Sequence, residues 1–237
     1  MSVDVKFFTD SEVQLIKSNS TDQDVARAAW VSTLGEEAVD YDSSRQNGLI
    51  NYLMRDRHGS PFEHGSFTFF VKTPLFVRSE FHRHRVGWSY NEESGRYSQM
   101  KPHFYTIPEG RNLTQSGKPG HYIFAPGTDA QHNLTKGIQI NSSISAYSEY
   151  QVLLDAGVAK EVARMHLPLN LMTSFYATCN SRSLMHFLGL RTKDDTATFP
   201  SNPQFEINSV ASKMEYEFAK QMPVTYQAWL DNGRVAP

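Results

Sequence analysis

The chain has almost no cysteine and no long hydrophobic run. Cys179 is the only cysteine among 237 residues, so no disulfide can form within the chain, and a zinc site built from several thiolates is excluded. No apolar run reaches the roughly 20 residues needed to span a bilayer. The first residues also lack the basic region and following hydrophobic stretch of an export signal. These absences predict a protein of the reducing cytoplasm with no membrane partner.

An excess of charge of one sign is also missing. The 23 Lys and Arg residues and 25 Asp and Glu residues give a net charge of −2 and a pI near 6.5. This balance argues against nucleic acid as a partner, because such binding grows with the number of phosphates neutralised. The Gly-x-Gly-x-x-Gly motif and the Walker-type phosphate loop are absent as well. Any nucleotide must therefore be held without either motif.

Hydrophobic spacing and turn residues predict both helices and strands. The predicted helices cover 21–30, 49–58, 75–85, about 129–156, 160–164 and 207–218, and the predicted strands cover 65–72, 104–107 and 169–177. The first of these helices should be capped by the Thr21 hydroxyl, with Asp24 three residues on. Seven Gly and Pro residues predict an irregular surface segment at about 108–127. Because the strands and helices lack regular βαβ spacing, we expect an α+β fold in a single domain over 1–237. Its sheet should be small, mostly antiparallel and packed with long helices.

The most informative segment runs from Arg83 to Tyr97. It contains three arginines, a histidine, two glutamates and two serines. Guanidinium groups match phosphate oxygens two at a time, serine hydroxyls add donors, and carboxylates orient the arginines. The segment begins on a predicted helix and leaves it near Gly87, so its second half should be a loop. This composition predicts an anion-binding site that suits a nucleotide.

Several motifs in this chain resemble one enzyme family. The triplet Arg83-His84-Arg85, followed by Ser94-Gly95-Arg96, is similar to the signature of the flavin-dependent thymidylate synthases. The segment His58–His64 resembles the upstream motif of that family, and the segments Leu167–Asn170 and Asn180–Arg191 resemble its downstream motifs. The motifs occur in the same order and cover most of the chain.

The resemblance implies a homotetrameric enzyme that converts dUMP to dTMP. Methylenetetrahydrofolate would supply the carbon unit, and FAD, reduced by NADPH, would deliver the hydride. This family uses no enzyme cysteine as nucleophile. Cys179 fits that expectation because it lies in an apolar, strand-like segment where a buried thiol is the simpler explanation.

The resemblance also implies roles for individual residues. Contacts with FAD are implied for Ser60, Arg83, His84, Arg85, Glu92, Asn180, Arg182 and His186. Contacts with dUMP are implied for Glu80, Phe81, His82, Arg83, Glu92, Ser94, Gly95, Arg96, Arg164 and Arg191. The ligand held by the clamp of Glu92, Ser94, Gly95 and Arg96 would be shared with a neighbouring subunit, as would the contact from Arg164. Arg191 would lie against the uracil ring and stabilise its ionised form electrostatically.

Simpler structural explanations exist for several of these residues. Asn180 is suited to cap a helix that starts at Ser181. Arg164 could form a helix-surface ion pair, and Arg191 could satisfy carbonyls at a helix C-terminus. The histidines lack the i, i+4 pair with an intervening glutamate that marks hydrolytic zinc sites, so no metal is expected.

Two other classes of function remain open at this point. A non-catalytic module for RNA or nucleotides could use the same arginines on phosphate, with Trp88, Tyr90 and Tyr97 stacking on bases. A hydrolase could use the histidines together with Glu63. Only the flavoenzyme should purify yellow or take up FAD.

Overall fold

The structure is a computed structural model that describes residues 4–40 and 46–237. Its helices are α1 (Asp22–Leu34), α2 (Gln46–Arg55), α3 (Leu75–Phe81), α4 (Asp129–Asp155), α5 (Lys160–Ala163), α6 (Ser181–Arg191), α7 (Phe205–Gln221) and α8 (Pro223–Asp231). Its strands are β1 (Lys6–Phe8), β2 (Glu12–Ser18), β3 (Phe67–Pro74), β4 (Trp88–Glu92), β5 (His103–Tyr105), β6 (Asn112–Lys118), β7 (His121–Pro126) and β8 (Met172–Cys179). None of the described helices combines the length and hydropathy needed to cross a membrane.

The strands in the described part of the chain form three small sheets. One has four strands in the order β2-β3-β8-β4, and each of the other two has a single pair, β1 with β5 and β6 with β7. The β1–β5 pair is parallel and the β6–β7 pair is antiparallel. Long helices accompany these sheets, and the predicted α+β class is confirmed.

The described residues group into two compact units. Unit 1 contains residues 4–11, 72–79 and 92–174. Its core is built on α4, where Tyr147 packs edge-on against Phe104 with ring centroids 6.1 Å apart. The Tyr147 hydroxyl donates to Met100 O at 2.8 Å, and the Met100 N–H donates to the Tyr150 hydroxyl at 3.1 Å. These bonds fix the segment that follows the arginine-rich motif against the long helix.

Unit 2 contains residues 12–40, 46–71, 80–91 and 175–237. Phe67 of β3 packs edge-on against Phe218 of α7 at 5.9 Å, and Phe218 lies 6.4 Å from the ring of Trp229 in α8. All three side chains are fully buried. The prediction of a single domain over 1–237 stays a prediction.

The prediction of an irregular segment at 108–127 is wrong in part. The segment lies at the surface as expected, but it forms the antiparallel hairpin of β6 and β7 with Lys118 paired to His121. Pro119 and Gly120 make the two-residue turn, and Gly120 has a φ of 84°. Proline followed by a glycine with positive φ is the pattern of a type II turn. The Gly and Pro residues here mark a turn and strand ends.

Two further predictions near the arginine-rich motif are wrong in part. The predicted helix begins at Leu75 but ends at Phe81 instead of reaching Arg85, and the strand β4 follows Gly87, whereas residues 93–97 lie outside any strand or helix as predicted. The Tyr90 hydroxyl, which has a single proton to donate, lies 2.9 Å from Phe81 O at the helix end and 3.0 Å from His84 O in the turn that follows. Gly87 has a φ of 69°, which reverses the chain into β4. Arg83, His84 and Arg85 therefore lie in the turn between α3 and β4.

Other local predictions are confirmed. Thr21 caps α1 by accepting from the Asp24 N–H at 3.1 Å, as predicted, and the predicted long helix is α4, whose capping box of Thr128 and Gln131 was not foreseen. The predicted helix over 207–218 lies inside α7, and the strands predicted at 65–72 and 169–177 overlap β3 and β8. The sequence patterns did not predict β1, β2 or α8.

The Asp22 carboxylate provides a test of the packing between α1 and α8. It is 8 % exposed and accepts from the N–H groups of Val224 at 3.0 Å and Thr225 at 2.8 Å, and from the Thr225 hydroxyl at 2.6 Å. Asp22→Ala should lower the free energy of unfolding by about 2–3 kcal/mol, because it leaves buried donors of the first turn of α8 unpaired. Urea denaturation measures this change, and Glu12→Ala, at an exposed strand position, is the control. Equal midpoints for the two variants would contradict the assignment.

Candidate active site

The N-terminus of α6 is the centre of the candidate site in unit 2. Asn180 caps the helix by accepting from the Ser183 N–H at 2.8 Å, as expected from the sequence. The Ser183 hydroxyl donates to Val86 O at 2.9 Å, which ties the turn after the arginine triplet to the same helix end. A Cβ at Gly87 would lie 2.2 Å from Ser183 Oγ, so only glycine allows this approach. The motif and the helix N-terminus, with its free N–H groups, are thus brought together.

Arg182 lies in the first turn of α6 beside the turn that contains Ser60. Its Nη1 atom donates to Glu63 Oε1 at 2.6 Å, and its Nε atom donates to Pro237 O at 2.5 Å. A Cβ at Gly59 would lie 2.5 Å from Arg182 Cζ, so the guanidinium rests directly on this glycine. Ser60 is exposed next to it, at the start of the 3-10 turn Ser60–Glu63. Ser60 and Arg182, both predicted for the flavin, are therefore neighbours.

At the other end of α6, Arg191 is held by two side chains. Its Nη1 atom lies 2.6 Å from Glu80 Oε2, and its Nε atom donates to His84 Nε2 at 3.1 Å. A third contact joins Nη2 to Glu80 O at 3.5 Å. A guanidinium has five N–H donors, so these three contacts leave two of them free. Arg191 is thus oriented by the protein and can still donate to a ligand.

The ionisation of these groups follows from their burial. Burial lowers the pKa of His84 to about 4, and the positive charge of Arg191 and the nearby His186 act in the same direction. Burial and then the charge of Arg182 lower the pKa of His186. Burial also raises the pKa of Glu80, against the opposing effect of Arg191. His84 is therefore neutral at pH 7, with Nε2 as acceptor and the proton on Nδ1.

The other predicted residues of the motif differ in exposure. Arg83 and Arg85 are exposed, and neither forms a side-chain hydrogen bond or ion pair within the part of the chain that the structure describes. His82 is also exposed and lies 5.2 Å from the Tyr90 ring. Phe81, in contrast, is fully buried in an aromatic cluster, 4.9 Å from Phe187. The two arginines are available to an anion, whereas the Phe81 side chain supports the turn from behind.

Unit 1 brings the other predicted residues together. The chain turns at Ser94, whose carbonyl accepts from the N–H groups of Tyr97 at 3.1 Å and Ser98 at 3.0 Å. A Cβ at the buried Gly95 would lie 3.0 Å from Arg164 Cδ, so the Arg164 side chain packs on this turn. Arg96 is exposed and pairs with Glu161 at 3.0 Å. The turn therefore presents a serine hydroxyl and two exposed guanidinium groups from distant parts of the sequence.

Glu92 is held in place at the end of β4. Its Oε1 atom accepts from the Thr173 hydroxyl at 2.7 Å and lies 3.1 Å from Arg78 Nε. Neither partner was identified from the sequence. Arg78 lies five residues before Arg83 in the helix predicted over 75–85, a spacing that puts the two side chains on different faces. The sequence therefore carried no signal for Arg78 or for Thr173.

Comparison with known proteins decides the family. The family model described as thymidylate synthase complementing protein matches residues 14–224. A flavin-dependent thymidylate synthase of Streptomyces avermitilis is 58 % identical over 98 % of this chain and 95 % of that protein. One from Tropheryma whipplei is 47 % identical over 99 % of this chain and 98 % of that protein. The chain belongs to the flavin-dependent thymidylate synthase family.

Solved structures agree with this family. A UMP/dUMP methylase, PolB from Streptomyces cacaoi, bound with 5-Br dUMP, has a TM-score of 0.93 and 47 % identity over 98 % of this chain and all of that chain. The same methylase bound with 5-Br UMP has a TM-score of 0.91 and 45 % identity. The predictions of family and enzymatic activity are confirmed, and the RNA-binding alternative has no support among these relatives. A flavin cofactor follows from the family.

Two remaining expectations concern the single cysteine and metal ions. Cys179 is 1 % exposed, and burial raises the pKa of its thiol, which suits a packing role rather than a nucleophile. The described residues contain no group of three or more His, Cys, Asp and Glu side chains placed to hold a metal ion. The prediction that no metal takes part stays a prediction.

The neutral state of His84 gives a prediction for pH. Its folded pKa, about 4, lies below the ordinary value of 6.5, so between these values the unfolded chain binds a proton that the folded protein does not. His84 therefore makes a contribution to stability that is lost as the pH falls from 6.5 to 4. An NMR titration of the His84 imidazole in the folded protein should show a midpoint near 4. A midpoint near 6.5 would contradict the buried, Arg191-bonded geometry.

Proposed function

We propose that this enzyme converts dUMP to dTMP, with methylenetetrahydrofolate as carbon donor and NADPH as reductant of FAD. The observation that carries the proposal is the hydrogen bonding of the Arg191 side chain. Its guanidinium is oriented by Glu80 and His84 and keeps two N–H groups for a ligand. Oriented donors that need no rearrangement are what stabilises charge developing on a substrate.

The residues around α6 fit FAD. An anionic dinucleotide needs phosphate donors and room for close approach. The exposed guanidinium groups of Arg83 and Arg85, which have no side-chain partner among the described residues, lie near the N-terminus of α6. We assign Ser60, Arg83, His84, Arg85, Glu92, Asn180, Arg182 and His186 to the flavin, as the family resemblance implies. FAD, when bound, supplies hydride chemistry that no side chain can provide. The protein binds and orients the cofactor.

The turn at 94–96 fits the phosphate of dUMP. The Ser94 hydroxyl and the guanidinium groups of Arg96 and Arg164 offer charge-assisted donors, and the absence of a side chain at Gly95 lets the Arg164 side chain pack against this turn. We also assign Glu80, His82, Arg83 and Glu92 to the dUMP site. Phe81 belongs to the same set, but its fully buried side chain limits it to support or a main-chain contact.

Arg191 is the residue that we assign to the chemical step. A guanidinium stays protonated at pH 7, so it cannot act as a general base, but it can stabilise negative charge on the uracil ring. The neutral His84 beside it adds no second positive charge. Arg191 would therefore act by electrostatic stabilisation, through N–H groups held in a fixed orientation.

We further propose a cytoplasmic homotetramer whose active sites are shared between subunits. The family resemblance supports this assembly, and exposed apolar side chains on α4, such as Leu134 at 64 % and Val152 at 67 %, provide surface that a partner chain could cover. Light scattering should report four chains of 26.9 kDa each.

The first test is catalytic. The purified protein should take up FAD, turn yellow, oxidise NADPH and form dTMP when dUMP and methylenetetrahydrofolate are present. Arg191→Ala should keep the flavin absorbance but reduce dTMP formation by about 100- to 1,000-fold, the usual effect of removing one donor to a developing charge. Arg55→Ala is the control, because Arg55 is exposed and pairs with the adjacent Asp56. Undiminished turnover by Arg191→Ala would remove Arg191 from the mechanism.

The same assay addresses substrate choice. PolB is a UMP/dUMP methylase, so UMP is a second candidate substrate for this chain. Parallel reactions with UMP and dUMP, compared by kcat/KM, distinguish a thymidylate synthase from an enzyme with both activities.

The second test concerns the shared site. Arg164→Ala and Arg191→Ala, each inactive alone, should recover activity when the two variants are co-expressed, because mixed tetramers would contain some sites with both arginines intact. Co-expression of Arg191→Ala with itself is the control. No recovery in tetramers shown to contain both variants would contradict sharing of the site.

A further inference from the structure

Thr192, which follows Arg191, forms hydrogen bonds both within α6 and to a distant side chain. Thr192 ends α6, and its N–H donates to Leu188 O at 2.9 Å while its hydroxyl donates to the same carbonyl at 2.6 Å. The hydroxyl oxygen also accepts from Arg234 Nη2 at 2.6 Å. Thr192 is 6 % exposed, so water does not compete for these bonds. The last turn of α6 is therefore joined to a residue 42 positions further along the chain.

Arg234 is itself held rigidly. Its two Nη atoms donate to the two carboxylate oxygens of Glu215, each at 2.7 Å, in a bidentate ion pair. Its Cζ atom lies 4.2 Å above the ring of Trp229, and its Nη1 atom lies 3.3 Å from Asp194 Oδ2. The residue is 8 % exposed. A planar guanidinium can meet these partners together, whereas a lysine ammonium could not.

The backbone around Arg234 also packs against α6. Arg234 has a φ of 58°, a left-handed conformation that non-glycine residues rarely adopt. Its carbonyl oxygen lies 3.2 Å from where a Cβ would stand on Gly189, so the segment runs directly along α6. Further on, Pro237 O accepts from Arg182 Nε in the first turn of that helix. The segment 234–237 therefore contacts both ends of the helix that carries the candidate catalytic and flavin residues.

We propose that Arg234 is a positioning residue for Arg191 and acts through the Thr192 hydroxyl. This inference rests on the proposed function. Glu80 and His84 fix the guanidinium of Arg191, and the Arg234–Thr192 bond fixes the backbone from which that side chain extends. A displacement of about 1 Å of a group that acts on the reacting atoms can cost about 100-fold in rate. The structure contains no other side-chain bond to Thr192 Oγ1 among the described residues.

Thr192→Val is the informative substitution, because it keeps the shape of the side chain and removes only the hydroxyl. We expect kcat for dTMP formation to fall about 10- to 100-fold, while KM for dUMP and the flavin content stay unchanged. Thr192→Ser, which keeps the hydroxyl, should restore kcat. Tyr226→Phe is the matched control, because it removes a 2.9 Å bond to Glu215 in the same network without touching Thr192.

A double-mutant cycle separates positioning from general loss of structure. In an Arg191→Lys background, the added Thr192→Val change should have little further effect on kcat, because the group that it positions is already altered. Additive effects, or a Tyr226→Phe variant that loses as much kcat as Thr192→Val, would overturn the inference. An active wild-type enzyme with an equally active Thr192→Val variant would overturn this inference alone. A wild-type protein that forms no dTMP would overturn the proposed function as well.

Discussion

The ion pair between Arg191 and Glu80 is the interaction on which the candidate active site of unit 2 depends. Its side chains are only 19 % and 20 % exposed, so both charges have lost much of their hydration. Removal of either side chain would leave the other charge partly buried without a partner, which is strongly destabilising. Glu80 lies in the last turn of α3 and Arg191 in the last turn of α6, so the pair also joins the ends of two helices. The proposed chemistry and the local packing thus depend on the same contact.

The four arginines of the candidate site in unit 2 divide into two kinds, and the division follows from their partners. Arg191 and Arg182 are paired with Glu80 and Glu63, so their positions are set before any ligand arrives. Arg83 and Arg85 have no such partner in the described part of the chain and remain exposed. A hydrated, unpaired guanidinium is available to bind an anion, whereas a guanidinium in an ion pair is held in one orientation. Under the proposed function, anion recognition and catalytic orientation belong to different residues, which allows a strong local field in a chain whose net charge is −2.

Features set by local contacts could be predicted from the sequence, and features set by distant contacts could not. The caps at Thr21 and Asn180 depend on residues three positions away, and both were predicted. The strand β4 and the hairpin β6–β7 were missed because pairing with other strands, which a single sequence does not display, outweighs the Gly and Ser residues within them. The family motifs named Arg191, but its partner His84 is 107 positions away. Motif resemblance therefore proposes the site residues, and only the fold shows what holds them.

The hydrogen bond from Arg191 to His84 also constrains what this end of the site can do. The Nε2 lone pair that receives the Arg191 N–H is the one that a proton would need, so the bond and the imidazolium form exclude each other. His84 is consequently left with a single donor, its Nδ1–H. With His84 neutral and Glu80 opposing Arg191, the local net charge is small. Negative charge that develops on a bound ring would therefore be stabilised by the oriented N–H groups that remain on Arg191, and not by a net positive charge of the site. Because this effect depends on orientation, a displacement of these groups by about 1 Å would weaken it steeply.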